Sequence, residues 1–334
     1  MTTGGAVPGT VSSPSVWRSA DFADASEWAT TLTSAERDEI VAAARAAAGA
    51  GLTAATVRQE DFPLPGLAAR LASWVCELSA GRAFVLIRGF PVDVLTEAET
   101  DLAYVGLGLH LGTPVSQNAA GDLLGHVRDT GVVRDSPAVR LYATSQRQDF
   151  HCDGSDLVGL LCLKTARTGG ESKIVSSMAV YNEMLARRPD LVEVLRQPFA
   201  WDRNDEQSPG EDPFFSLPVI FDIGGAPRIF FVGWYIRDAQ RHAQAPRLTA
   251  GQLDALELLE GIANDPSFYL QMEFRPGDIQ LLNNAKILHA REAYTDYDDP
   301  AERRHLLRLW LTAHAFASVE DTLRGGIPAR QQDS

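Results

Sequence analysis

Arg304-His305-Leu306-Leu307-Arg308-Leu309-Trp310-Leu311 is the stretch whose reading decides the fold. Read as a β-strand, it puts Arg304, Leu306, Arg308 and Trp310 on one face and His305, Leu307, Leu309 and Leu311 on the other. The leucine face must pack on something apolar, which points to covering helices. The arginine face then points into a barrel. Two inward arginines are costly unless anions meet them. A guanidinium fork matches a carboxylate in two-point fashion. Taken alone, the pattern also fits an internal salt bridge to Asp or Glu, or an arginine at the barrel rim.

Working outward, short strand-like runs recur between turn signals. They read at Ala83 to Phe90, Ala138 to Thr144, Leu157 to Lys164, Ser172 to Ser176, Pro218 to Ile223 and Arg228 to Val232. More follow at Tyr269 to Phe274, Asp278 to Asn284 and His305 to Ala313. Helical patterns cover Ser34 to Ala50, with Ser34 read as the cap, then Gly66 to Ser79 and Thr96 to Leu111. Further helices read at Ala179 to Arg187, Pro189 to Leu195 and Thr249 to Asn264. Many short strands between turns make a sandwich or jelly roll. The expected class is mainly β with flanking helices. Residues 1–16, rich in Gly, Thr, Ser and Pro, read as a flexible leader. Residues 17–334 read as one catalytic domain, with a helical part at about 34–80 and a jelly-roll core at about 83–315.

Composition narrows the partners. The net charge of −14 repels nucleic acid and anionic membrane. It leaves room for an anionic small-molecule substrate, because a few arginines reverse the field inside a pocket. Cys76, Cys152 and Cys162 lack metal-site or disulfide spacing, which suits a reducing, cytoplasmic setting. No uninterrupted apolar run approaches membrane-spanning length. A homo-oligomer is compatible with this composition.

The chemistry-bearing pair is His151 and Asp153 in Phe150-His151-Cys152-Asp153. Side chains at i and i+2 of an extended chain share a face, so an imidazole and a carboxylate can grip one metal ion. Alone the pair is weak, since roughly one His-x-Asp/Glu is expected by chance at this composition. A distant histidine is available in Asn283-Asn284-Ala285-Lys286-Ile287-Leu288-His289, entered from a Pro276-Gly277 turn. His289 by itself fits a strand end bonded to backbone. With His151 and Asp153 it makes a two-histidine, one-carboxylate set with coordination positions left open. Cys152, at i+1, should face away and pack. The segment Asp202 to Asp212 reads as a mobile loop and candidate lid, and Trp234, Arg237, Arg241 and His242 as either a pocket mouth or a surface helix start.

In order and spacing, His151-Cys152-Asp153, Thr168-Gly169-Gly170-Glu171-Ser172, Met178-Ala179-Val180-Tyr181-Asn182, Asn283-Asn284 before His289, and Arg304 resemble the taurine dioxygenase-like (clavaminate synthase-like) family of Fe(II)/2-oxoglutarate oxygenases. The likeness runs from about Ala83 to Leu311. It implies a double-stranded β-helix (jelly-roll, cupin-like) core buttressed by α-helices. It implies Fe(II), 2-oxoglutarate and O2 as cofactor and cosubstrates, with His151, Asp153 and His289 as iron ligands. Arg304 resembles the arginine that meets the far carboxylate of 2-oxoglutarate, helped by Ser172. Arg308 matches a position that holds an anionic group of the substrate in several members. Arg303 and Arg308 are rivals for the cosubstrate role should the strand slip. The implied reaction oxidises an unactivated C–H bond of a small organic, carboxylate- or amino-acid-like substrate and releases succinate and CO2. Hydroxylation is the default, with desaturation or cyclisation as variants. Asp153 disfavours halogenation, because related halogenases carry a small residue there. Two alternatives stay open: a non-catalytic jelly-roll binding protein, and a zinc hydrolase on the same triad.

Overall fold

The computed structural model of the chain describes residues 9–118, 120–132, 139–207, 209–223 and 225–313. Nine strands organise it. They are β1 (Phe84–Arg88), β2 (Leu124–Val127), β3 (Gln148–His151), β4 (Leu157–Lys164), β5 (Ser172–Ser176), β6 (Tyr269–Met272), β7 (Ile279–Asn283), β8 (Ile287–Arg291) and β9 (His305–Thr312). The helices are α1 (Ser34–Gly49), α2 (Ala68–Ala80), α3 (Glu97–Leu109), α4 (Ser177–Arg187), α5 (Pro189–Leu195), α6 (Gly233–Asp238) and α7 (Ala250–Ala263).

Two sheets face each other. The larger runs Ala29–Thr31, β1, β7, β4, β9, Thr113–Pro114, with β2 also pairing on β9. The smaller runs β6, β5, β8, β3. Chain-distant strands therefore lie side by side, as a jelly roll requires. Alternation divides each strand between two environments. Val85, Ile87, Leu281, Leu307, Leu309 and Leu311 join one apolar cluster with α1, α2 and α3. Phe84, Leu86, Leu282 and Trp310 point the other way and meet Ile174 and Ile287 of the smaller sheet. The leucine face of β9 thus lies under helices, as its sequence requires. Full burial of one such leucine stabilises the fold by about 2 kcal/mol. Helices α4, α5 and α7 cover the smaller sheet through Val175, Leu191, Leu256 and Leu288.

Several boundaries differ from the sequence reading. The cap of α1 is Thr33, whose hydroxyl accepts from the Glu36 N–H while Glu36 reaches back, so Ser34 is the first helical residue. The run expected as a strand from Ala138 to Thr144 has Ala138 outside the described residues, and Leu141–Ala143 is a 3-10 turn. The Leu141 and Thr144 carbonyls turn to the Arg291 side chain instead of a ladder partner. The second strand of the 218–232 hairpin is Ala226–Ile229, earlier than Arg228 to Val232. Residues 9–16 of the expected leader meet α4: Asn182 bonds both the N–H and the carbonyl of Val11, and Ser176 Oγ donates to the Ser15 carbonyl. No helix among the described residues is long and apolar enough to cross a membrane.

Candidate active site

Strand pairing assembles the triad. β8 runs antiparallel to β3 with His289 opposite His151. Directly opposed residues bring their side chains together, and the two imidazole centroids lie 4.2 Å apart. Asp153 follows just past β3, and its backbone N–H donates to Asn284 Oδ1. Asn284 also donates to the carbonyl and hydroxyl of Ser155. Asn284 thus ties the β3 exit to the β8 entrance, while Asn283 donates to the Leu78 carbonyl of α2. One ligand atom from each of His151, Asp153 and His289 lies within 4.8 Å of the others. All three residues are buried.

Their protonation suits a cation. His151 Nδ1 lies 2.8 Å from the Asp149 carbonyl, which fixes the N–H there and makes Nε2, which accepts from the Gln148 amide at 3.0 Å, the nitrogen with a lone pair for a metal. Burial, then the neighbouring His151, pushes His289 down to about 3, so it is neutral at physiological pH. Burial likewise lowers His151 against the pull of Asp153. For Asp153 burial opposes the charge, but the Arg308 guanidinium, the strongest of the opposing neighbours, keeps the carboxylate below its ordinary range. Asp153 Oδ2 and His289 Nδ1 are buried without a hydrogen-bond partner among the described residues. Two neutral imidazoles, one carboxylate and orphaned buried donor atoms fit a divalent metal ion. Cys152 faces away, packed by Phe231, with its thiol pushed up to about 12 by burial.

Arg308 borders this centre. Its guanidinium lies between the Tyr142 and Trp310 rings, at 4.8 and 4.7 Å. Its Nη1 is 3.4 Å from Asp153 Oδ1. Gln117 clamps it: Oε1 accepts from Arg308 Nε at 2.7 Å, and Nε2 donates to the Arg308 carbonyl at 2.7 Å. A Cβ on Gly125, opposite Arg308 in β2, would come within 2.7 Å of Gln117 Oε1, so the strand carries glycine where the clamp passes. Trp234 of α6 sets its ring edge-to-face on His151, centroids 4.9 Å apart. It is the member of the 234–242 group that reaches the triad. Arg237 pairs with Glu260, and Arg241 and His242 pair with Asp202. The pairs on Asp202, with Arg241 on Asp205 and Arg140 on Glu206, tie down the first part of the expected lid.

Arg304 is at the far end of the arginine face, 4 % exposed. Its Nη1 is buried without a partner, and its guanidinium lies 5.0 Å from the Tyr294 ring centroid. Arg303 instead bonds the carbonyls of Tyr297 and Asp298, so the register leaves Arg304 as the inward residue. Gly169 and Gly170 both have φ of +77°, and a Cβ on Gly170 would sit 3.1 Å from Arg304 Nε. That is why the Gly-Gly pair stands there. Ser172 Oγ does not reach Arg304; it is held by the Gln280 amide at 3.2 Å. An open cavity of about 200 Å³ is lined by Arg304, Gly170, Cys162, Thr168 and Phe274, and does not touch the triad. The triad, with its closed donor set and neutral imidazoles, is the chemical centre; the cavity marks access to the arginine end. Arg291, two residues after His289 and marked in the sequence only by that spacing, is buried like Arg304.

A jelly roll with a buried two-histidine, one-carboxylate set defines a non-haem iron oxygenase. The chain belongs to the taurine catabolism dioxygenase TauD, TfdA family, whose model matches residues 48–310. It is 33 % identical over 326 residues to the FR-33289 synthase of Streptomyces rubellomurinus, covering 96 % of each chain. It is 30 % identical over 307 residues to a taurine hydroxylase-like protein, SAT17, of Stachybotrys chartarum, covering 88 % of this chain and 77 % of that one. Among solved structures, asparagine oxygenase in complex with Fe(II), hydroxyasparagine and succinate superposes with TM-score 0.66 at 19 % identity, over 85 % of this chain and 94 % of the other. The oxygenase OrfP with Fe and alpha-ketoglutaric acid gives 0.62 at 15 % identity, over 85 % and 94 %. The protein is an Fe(II)/2-oxoglutarate-dependent oxygenase, which sets aside the binding-protein and zinc-hydrolase alternatives.

Proposed function

We propose that His151, Asp153 and His289 hold the ferrous ion, that Arg304 receives the far carboxylate of 2-oxoglutarate with Ser172 nearby, and that Arg308 holds an anionic group of the substrate. The observation that carries this is the split between a metal-fitting donor set and a buried, unpaired guanidinium, both inside one barrel. When bound, the ion with 2-oxoglutarate and O2 supplies the oxidising power that gives succinate and CO2 and puts one oxygen into a C–H bond. The chain's residues do the rest. Arg304 fixes one end of the dicarboxylate and so sets the direction of the keto acid end. Arg308, held by Gln117 beside Asp153, sets how far a substrate anion lies from the metal. Trp234 packs edge-to-face on His151 and helps exclude water from the triad.

The substrate is a small carboxylate- or amino-acid-like molecule, and the reaction is hydroxylation. The asparagine oxygenase likeness and the Arg308 guanidinium support this class. A hydrolase would leave buried Arg304 without use. Protein given Fe(II) and 2-oxoglutarate under argon should develop the weak visible charge-transfer band of the chelate. Asp153→Ala should lose it. Candidate amino and organic acids are then screened for stimulated succinate formation, with a product mass gain of one oxygen. Stimulation by neutral compounds only would overturn the anionic-substrate assignment.

A further inference from the structure

We infer that Arg291 is a second cosubstrate-binding arginine, sharing with Arg304 the carboxylate that enters the far end of the barrel. The inference rests on the proposed role of Arg304. β8 presents His289 and Arg291 on one face, so the strand that contributes to the triad also lines the other end of the interior. Arg291 pairs in register with Ser172. Its guanidinium is 5.0 Å from the Tyr294 ring centroid, as is that of Arg304. The two cations are therefore no more than twice that distance apart. Arg291 is 6 % exposed and Arg304 4 %. Among the described residues, neither guanidinium forms an ion pair; Asp296, which accepts from the Arg304 backbone N–H, and Asp129 act on them only from beyond that distance.

One nitrogen of Arg291 is accounted for. Nη2 donates to the carbonyls of Leu141, Thr144 and Gln146 and so pins the 3-10 turn before β3. That role explains Nη2 alone. Nε and Nη1 are buried without partners, as are Arg304 Nη1 and the Tyr294 hydroxyl. Buried polar groups are satisfied in working proteins, and an uncompensated pair of buried like charges is worse than a single one. A carboxylate arriving here offsets both charges and takes up the free donors. Arg291 needs no contact with the metal to do this.

Binding measured without turnover tests it. Wild type, R291Q, R291K and R304Q are loaded with Mn(II) under argon. Dissociation constants are measured by calorimetry for 2-oxoglutarate and for pyruvate, a keto acid that lacks the far carboxylate. R291Q should weaken 2-oxoglutarate by about tenfold and leave pyruvate unchanged, because a charge-assisted bond is lost only where the far carboxylate is present. R291K should fall between, and melting temperatures identify any variant that is merely unfolded. Wild-type affinity for 2-oxoglutarate in R291Q, or equal losses for both acids, would overturn the inference and leave Arg291 a turn staple. If R304Q also binds 2-oxoglutarate normally, the reading of Arg304 itself fails; loss in R304Q alone overturns only Arg291.

Discussion

The two ends of the barrel interior differ in how their charge is met. At the triad end, Asp153 is flanked by Arg308 and two neutral histidines, so charge within the protein is nearly balanced before any ligand arrives. At the other end, Arg291 and Arg304 both lie 5.0 Å from the Tyr294 ring centroid, with no carboxylate in ion-pair reach among the described residues. One strand, β8, serves both ends through residues two apart. The first end is shaped for a cation with open coordination sites. The second end is incomplete without an anion. A molecule with a chelating head and an anionic tail satisfies both, and the distance between ends selects its length.

Removing a ligand should break the comparison most severely. His289→Ala or Asp153→Ala should abolish metal binding and reduce succinate formation to background, measured by metal content after anaerobic loading and by turnover. The 2-oxoglutarate interaction of the arginine end should survive as weak binding. Next in size, Arg304→Gln should raise the 2-oxoglutarate KM by about tenfold to a hundredfold, since a buried charge-assisted bond is worth roughly 1.5–3 kcal/mol. The metal content should not change. Equal damage to metal content would mean that the two ends are not separable.

Smaller effects sharpen the triad end. Gln117→Leu frees the Arg308 guanidinium, and Gly125→Ala presses on the same clamp from the opposite strand. Each should lower kcat/KM for the organic substrate by about tenfold, the loss of one hydrogen bond to a charged group, while the KM for 2-oxoglutarate holds. A shift in the 2-oxoglutarate KM instead would assign Arg308 to the cosubstrate.

The His151–Asp153 pair and the arginine face were legible because each follows from alternation along one extended stretch, while His289 came from the family resemblance. His151 and Asp153, or Arg304 and Arg308, need only the i, i+2 rule. The same rule applied to His289 would have exposed Arg291, which stands two residues on. Gln117 was not legible, because its value lies in the register that brings it to Arg308 from 191 residues away. Trp234 was named in the sequence as a pocket-mouth candidate, but its contact with His151 depends on the bridge from His151 to Val232. The false strand at Ala138 to Thr144 has a physical cause. Val139-Arg140-Leu141-Tyr142 has strand-like residues, but Arg291 draws the carbonyls of Leu141 and Thr144 away from any ladder.

Two histidine pairs extend the contrast to pH. The inner pair, His151 and His289, is buried; the outer pair, His126 and His305, lies on β2 and β9 with Nδ1 and Nε2 2.9 Å apart. Burial and then His126 lower His305 to about 4, as burial and then His151 lower His289 to about 3. Both folded values lie below the ordinary histidine pKa of about 6.5. The unfolded chain therefore binds more protons in that window. Stability from these groups is complete above pH of about 6.5 and is lost as pH falls toward the folded values. Metal-free protein should melt at a lower temperature at pH 5 than at pH 7.5. His305→Asn should reduce that drop only modestly, because the outer pair is half-exposed and solvent screens it. Mn(II) competes with protons for the inner pair alone. Its stabilisation should therefore shrink as pH falls, and by the same amount in His305→Asn as in wild type. If His305→Asn changes the pH dependence of Mn(II) stabilisation, the two pairs are coupled through β9 and the interior does not act apart from the outer face.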